Sequence, residues 1–165
     1  MTRHRFGQAW EAGNITRMAD TFAPNAVLHS PVGDGGFVGL AAITELLQVV
    51  LASTSETEIL REWSDSETCM LTFRSMFSNT PVQGVVELEL DTHGRITQLR
   101  MYVRPLTAVV AVAEVIGTGI VGLRSHALGV GAKILIKPLA GMATLTNAAG
   151  IRTYDWINRT ADSRT

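Results

Sequence analysis

The chain has 165 residues, 46% apolar and 18% charged, with a formal net charge of −1. That composition excludes a disordered chain or a collagen-like repeat, and the near-neutral charge argues against a nucleic-acid partner, which would ask for a basic face. A single cysteine, Cys69, excludes an intrachain disulfide and a cysteine-based metal cluster, and no cofactor is expected. The length suits one domain with an appendage. Residues 1–104 hold 8 Lys+Arg against 12 Asp+Glu, whereas residues 105–165 hold 6 against 3. This reads as an acidic body with a basic, apolar tail. The stretch MTRHRFGQAWEAGN has no long apolar run and is no signal peptide, so a cytoplasmic protein is expected.

Phe6, Ala9, Trp10 and Gly13 recur at helical spacing; Gly13 can end that helix and Asn14 can cap the next. Ile15, Met18, Ala19 and Phe22 repeat the pattern until Pro24 and Asn25 break it. A short strand, AVLHS at 26–30, precedes the glycine-rich, turn-prone PVGDGGFVG at 31–39. Leu40, Ile43, Leu47, Val50 and Leu51 predict a third helix with a 3.6-residue period. The period then becomes two. TEILREWSD, CMLTFRSMF, VQGVVELEL and RITQLRMYVRP read as strands, with turns at Asn79-Thr80-Pro81 and Asp91-Thr92-His93-Gly94. Helices followed by consecutive hairpin strands predict an α+β domain with helices on one face of an antiparallel sheet.

The order of these elements carries AGN at 12–14, FAPNAV at 22–27, PVG at 31–33, GLAAI at 39–43 and HGRI at 93–96. Together they resemble the nuclear-transport-factor-2-like superfamily, of the ketosteroid isomerase and SnoaL-like polyketide cyclase type. The resemblance covers residues 4–105. It implies a curved antiparallel sheet wrapped around the N-terminal helices, enclosing a conical apolar pocket. Residues 1–105 are therefore expected to form that domain, and residues 106–165 an extra C-terminal, mainly helical extension.

The resemblance also sets what chemistry to look for. Ketosteroid isomerases use an aspartate base, with a tyrosine and a protonated aspartic acid donating to the enolate oxygen. The matching positions here are Ser30, Phe6 and, if the hairpin aligns without gaps, Val86. None of these side chains supplies the needed function. The epoxide hydrolase pattern of Arg-x-Asp on a central strand fails as well: Arg74 is followed by Ser75 and Met76, and the last-strand aspartate matches Met101. A polyketide cyclase needs only one acid/base group near an acidic C–H and stays open.

Three residues are candidates for a relocated acid or base. His29 could titrate beside a pocket strand, but alternation sends it to the opposite face if Ser30 points inward. Asp34 lies in the glycine-rich loop and also suits turn chemistry. Asp20 lies on the second helix, where related proteins often place polar groups, and also reads as a solvated helix acid. Glu87 and Glu89 alternate with Val86, Leu88 and Leu90 and are expected on the outer face. By analogy with the family, Leu99, Met101 and Val103 face the pocket, so Arg100, Tyr102 and Arg104 face outward, where the sheet often forms a dimer contact.

The expected pocket lining is Phe6, Trp10, Leu28, Ser30, Phe37, Trp63, Val86, Leu99 and Met101, which suits a small apolar molecule. The tail begins with PLTAVVAVAEVIGTGIVGL at 105–123, followed by a second apolar stretch containing Lys133 and Lys137. It is read as helices packing on the sheet or a partner subunit, as a membrane-surface element over residues 105–151, or as a span, which its glycines and Glu114 disfavour. Three functions follow: an apolar-ligand binder, a cyclase- or isomerase-type enzyme with a relocated group, or an oligomerisation or membrane-associated scaffold.

Overall fold

The computed structural model describes residues 4–124. Two short helices open the chain, α1 (Arg5–Glu11) and α2 (Ile15–Ala19). The His4 side chain accepts from the Phe6 N–H and Asn14 Oδ1 accepts from the Arg17 N–H at 3.0 Å, so each helix begins on a side-chain cap. Gly13, at φ +61°, reverses the chain after α1, and the Gly13 and Asn14 N–H groups close on the Trp10 and Ala9 carbonyls. The expected stop and cap are therefore both observed. The second helix is shorter than its apolar period implied, because Phe22 already belongs to strand β1 (Phe22–His29). Thr21 anchors that change of direction: its buried hydroxyl donates to the Met18 carbonyl at 2.6 Å.

Strand β2 (Gly36–Val38) forms inside the segment read as turn-prone, pairing antiparallel with the end of β1. Helix α3 (Leu40–Ser53) follows and buries Ile43, Leu46, Leu47 and Val50 on one stripe. Strands β3 (Thr54–Ser64), β4 (Thr68–Phe77), β5 (Thr80–Leu90) and β6 (Ile96–Arg104) then run as consecutive antiparallel hairpins. The sheet order is β2-β1-β6-β5-β4-β3, and β1 lies parallel to β6, so one parallel pair sits inside an otherwise antiparallel sheet. At the β5–β6 turn Asp91 Oδ1 accepts from the N–H groups of His93 and Arg95, at 2.8 and 2.9 Å. These bonds, the Arg95 N–H foremost, hold the Asp91 carboxyl below its ordinary pKa.

Alternation divides the sheet into two faces. Cys69, Leu71, Phe73 and Phe77 of β4, Val82, Val86 and Leu88 of β5, and Ile96 and Leu99 of β6 are all buried against the helices. Glu87, Glu89, Arg100 and Tyr102 face the other way, as the sequence implied. The β3–β4 register shifts twice, between Ser55 and Glu58 and again between Ile59 and Arg61, and the second shift decides where Trp63 points. In β3, Ile59 pairs with Phe73 but Arg61 pairs with Thr72, so Leu60 is an extra residue in the ladder. Every side chain beyond the bulge changes sides. Trp63, expected in the pocket, therefore pairs with Met70 on the outer face and is 51% exposed, while Glu62 turns inward.

Helix α4 (Leu106–Arg124) takes the first part of the tail back over the concave face. Ala108, Val112 and Val115 are buried, and Gly119 lies so close to Val49 of α3 that a methyl group at this position would collide with its side chain. This packing matches the first of the three readings of the tail for residues 106–124. No helix among the described residues is long and apolar enough to cross a membrane. The second apolar stretch, with Lys133 and Lys137, lies outside the described residues, as does most of the segment read as a membrane-surface element.

Candidate functional site

All four helices and the concave face of the sheet meet around one cavity of about 30 Å³. From the sheet come Leu28 of β1, Phe77 of β4, and Leu99 and Met101 of β6, joined by Ser30 and Pro31 just after β1. From the helices come Phe6 and Trp10 of α1, Met18 of α2, Leu46, Leu47 and Val50 of α3, and Val112 and Ile116 of α4. The rings of Phe6, Trp10 and Phe73 hold one another in tilted contact, with the Phe6–Trp10 and Trp10–Phe73 centroids 5.8 and 4.6 Å apart.

Six expected lining residues thus come together: Phe6, Trp10, Leu28, Ser30, Leu99 and Met101. Three do not. Trp63 is turned outward by the β3 bulge. Phe37 pairs with Leu28 in the β2 edge strand and is only half-buried against the core, away from the cavity wall. Val86 faces inward, paired with Leu71 and Met101, but is consumed by side-chain packing in the core. The lining also includes residues not expected there. The α3 stripe was legible as a core face but not as a wall of this cavity, and Val112 and Ile116 enter only because α4 folds back.

No ionisable side chain among the described residues lines the cavity. The atoms it exposes are apolar. The Ser30 oxygen accepts a long bond from the Val32 N–H, 3.4 Å. The indole Nε1 of Trp10 is buried and has no hydrogen-bond partner among the described residues.

The three acid/base candidates lie elsewhere. His29 pairs with Arg100 on the outer face, the alternative that alternation offered. With Asp34, Arg100 and Tyr102 it lines a shallow depression of about 470 Å³. Asp20 lines a separate groove of about 300 Å³ between α1 and α2, beside Arg5 and Arg17. Arg100 is engaged by Glu89, at 2.5 Å, and by the Gln98 side chain, at 2.7 Å. The Glu89 bond raises the Arg100 pKa above its ordinary value.

A second polar cluster sits between α1 and the β3–β4 pair. The His4 backbone N–H donates to Glu62 Oε1 at 2.6 Å, and the Cys69 thiol donates to the same oxygen at 3.7 Å. Burial, reinforced by the Glu62 charge, pushes the Cys69 pKa up to about 12. A thiol so protonated is a poor nucleophile. Burial also lowers the His4 pKa, against the pull of Glu62. Among the described residues no group of three His, Cys, Asp or Glu side chains could hold a metal ion.

The fold is that of the nuclear-transport-factor-2-like proteins. Solved structures align with it closely despite low identity. A steroid delta-isomerase from Pseudomonas aeruginosa superposes with a TM-score of 0.64 at 19% identity, over 70% of this chain and 86% of that one. An uncharacterised protein with a cystatin-like fold from Silicibacter pomeroyi gives a TM-score of 0.64 at 19% identity, over 68% and 79%. The epoxide hydrolase/cyclase-like enzyme SalBIII, with a role in pyran ring formation in the polyether salinomycin, gives 0.53 at 18% identity, over 60% and 84%. No curated protein sequence matches the chain. The family model of the SnoaL-like domain matches residues 4–99, and the chain belongs to that family.

Proposed function

We propose that this SnoaL-like protein holds a small apolar molecule between the concave sheet and the helices, without performing the proton transfer of the steroid isomerases. The supporting observation is the lining: among the described residues fourteen side chains, none ionisable, and, at the positions that the resemblance assigns to isomerase chemistry, Ser30 and Phe6 in the lining and Val86 in the core beside it. Neither Phe6 nor Val86 can donate a hydrogen bond, and a serine hydroxyl is too weak a base to abstract a carbon-bound proton. At about 30 Å³ the cavity has room for about one water. A larger guest is accommodated by outward movement of α4, which contributes Val112 and Ile116 and lies beyond the matched residues 4–99. The helix is thus a cover on the pocket.

The test is a fluorescence titration of the full chain with N-phenyl-1-naphthylamine, an uncharged apolar probe. Saturable one-site binding is expected, with higher affinity in Val112→Ala, where the cover is trimmed. Absence of saturable binding in both proteins would refute the reading.

An alternative, a cyclase- or isomerase-type enzyme with a relocated acid/base group, draws support from His29 and Asp34 sharing the outer depression. That site is shallow and open to water, whereas acid/base chemistry on carbon gains from enclosure. The ligand-holding reading is preferred for that reason. Trp63 and Met70, paired and exposed on the outer face, support a second copy of the chain as the partner of that surface.

A further inference from the structure

We propose that His4 is an acid-sensitive latch: its neutral imidazole fastens α1, and its protonation frees the first turn of that helix, where Phe6 stands in the cavity wall. His4 is bonded to three elements. Its Nδ1 accepts from the Phe6 N–H at 3.2 Å and so caps α1. Its backbone N–H donates to Glu62 Oε1 of β3 at 2.6 Å. Its ring is also hydrogen-bonded to the Gly94 backbone at the β5–β6 turn. The Gly94 N–H is already given to the Asp91 carbonyl, at 2.9 Å, so the Gly94 carbonyl is the acceptor and the His4 Nε2–H the donor. With Nδ1 accepting and Nε2 donating, the ring is neutral.

A further proton can be added only at Nδ1, where it sets one N–H against that of Phe6 and removes the cap. The Glu62 bond is made by the backbone and stays, so the first turn loosens while the chain keeps its tether. A helix of seven residues does not hold itself, so its attachments decide its order. The groups around the ring pull in both directions. Glu62 of β3 favours the proton and Arg5 of α1 opposes it. Cys69 of β4 is a neutral thiol that donates to Glu62. On the turn, Arg95 is paired with Asp91 at 2.8 Å and His93 is exposed. Burial outweighs Glu62 and Gly94 and holds the ring below its ordinary pKa. The stability that neutral His4 contributes is therefore complete above the ordinary histidine value. It is lost as the pH falls from there through the folded-state pKa.

Backbone amide exchange in the full chain is followed by NMR from about pH 8 to about pH 5, with the His4 imidazole resonances recorded alongside. Rates are corrected for the intrinsic pH dependence of exchange. The Phe6 amide is expected to lose protection about fivefold as His4 takes up its proton. The Arg17 amide is the internal control, because its cap, the Asn14 carboxamide, does not titrate. His4→Asn keeps a capping oxygen that cannot be protonated and should hold the Phe6 amide equally protected at both ends of the range. If that variant fails to fold, the comparison of Phe6 with Arg17 in the unaltered protein still decides. Phe6 protection that ignores the His4 titration, or that falls equally in His4→Asn, would overturn the latch. The consequence for the cavity rests on the ligand reading. N-phenyl-1-naphthylamine should enter faster at the acid end in the unaltered protein but not in His4→Asn, and unchanged entry would overturn that consequence. Failure of the probe to bind at any pH would overturn the ligand reading, with the latch judged by the amides.

Discussion

Val86 and Leu99 are almost fully buried on the concave face, while Glu87 and Arg100, one residue further along the same strands, lie on the convex face. The convex face carries a lattice of side-chain bonds: Arg100 to Glu89, Gln98 to Glu89 at 2.8 Å, and Arg74 Nε to Glu58 at 2.6 Å. The concave face has an oily cavity instead. The two-residue period of a strand makes this division unavoidable. It teaches that, among the described residues, the side chains most suggestive of chemistry in the sequence are absent from the enclosed space, whose lining is apolar.

The sharpest way to break the comparison is to move charge across the sheet. Val86→Asp places a carboxylate where the resemblance puts an acid but where no partner exists. It is expected to cost more than about 4 kcal/mol, or to prevent folding, as read by urea denaturation. A folded Val86→Asp protein of near-normal stability would mean that water reaches the concave face. Next comes Leu99→Ala, which removes a 1% exposed side chain from the cavity wall and should cost about 3 kcal/mol. Part of that loss should return when an apolar probe fills the enlarged space; a loss without any recovery would count against an accessible cavity. The smallest effect on stability is expected for Trp63→Glu on the convex face, within about 0.5 kcal/mol. Under the proposed contact between copies, its effect should appear in sedimentation as a shift from dimer to monomer. An unchanged sedimentation coefficient would remove the outer face as the contact between copies.

Much of the fold was legible because local signals agreed with one another. Gly13 and Asn14 marked a helix end and a helix start, and Asp91 to Gly94 marked a turn. Alternation placed Glu87, Glu89, Arg100 and Tyr102 correctly, and it gave the correct alternative for His29. Alternation failed at Trp63 because nothing in TEILREWSD signals that Leu60 is an extra residue. The same bulge turns Glu62 inward beside Cys69, a cluster that periodicity could not have suggested. The short β2 was hidden in a glycine-rich run because its pairing depends on β1, which is distant in local pattern but adjacent in space.

The sequence by itself determined which residues could be buried and, through periods of 3.6 and two, which side chains share a face. Those properties are local, set by backbone geometry and hydrophobicity. Only the tertiary structure decided that α4 folds over the concave face, that Val86 is used up in packing while Leu99 borders a void, and that the Trp10 N–H is left without a partner among the described residues. Cavities and orphaned donors are differences between surfaces contributed by distant segments, so no single stretch of the chain encodes them.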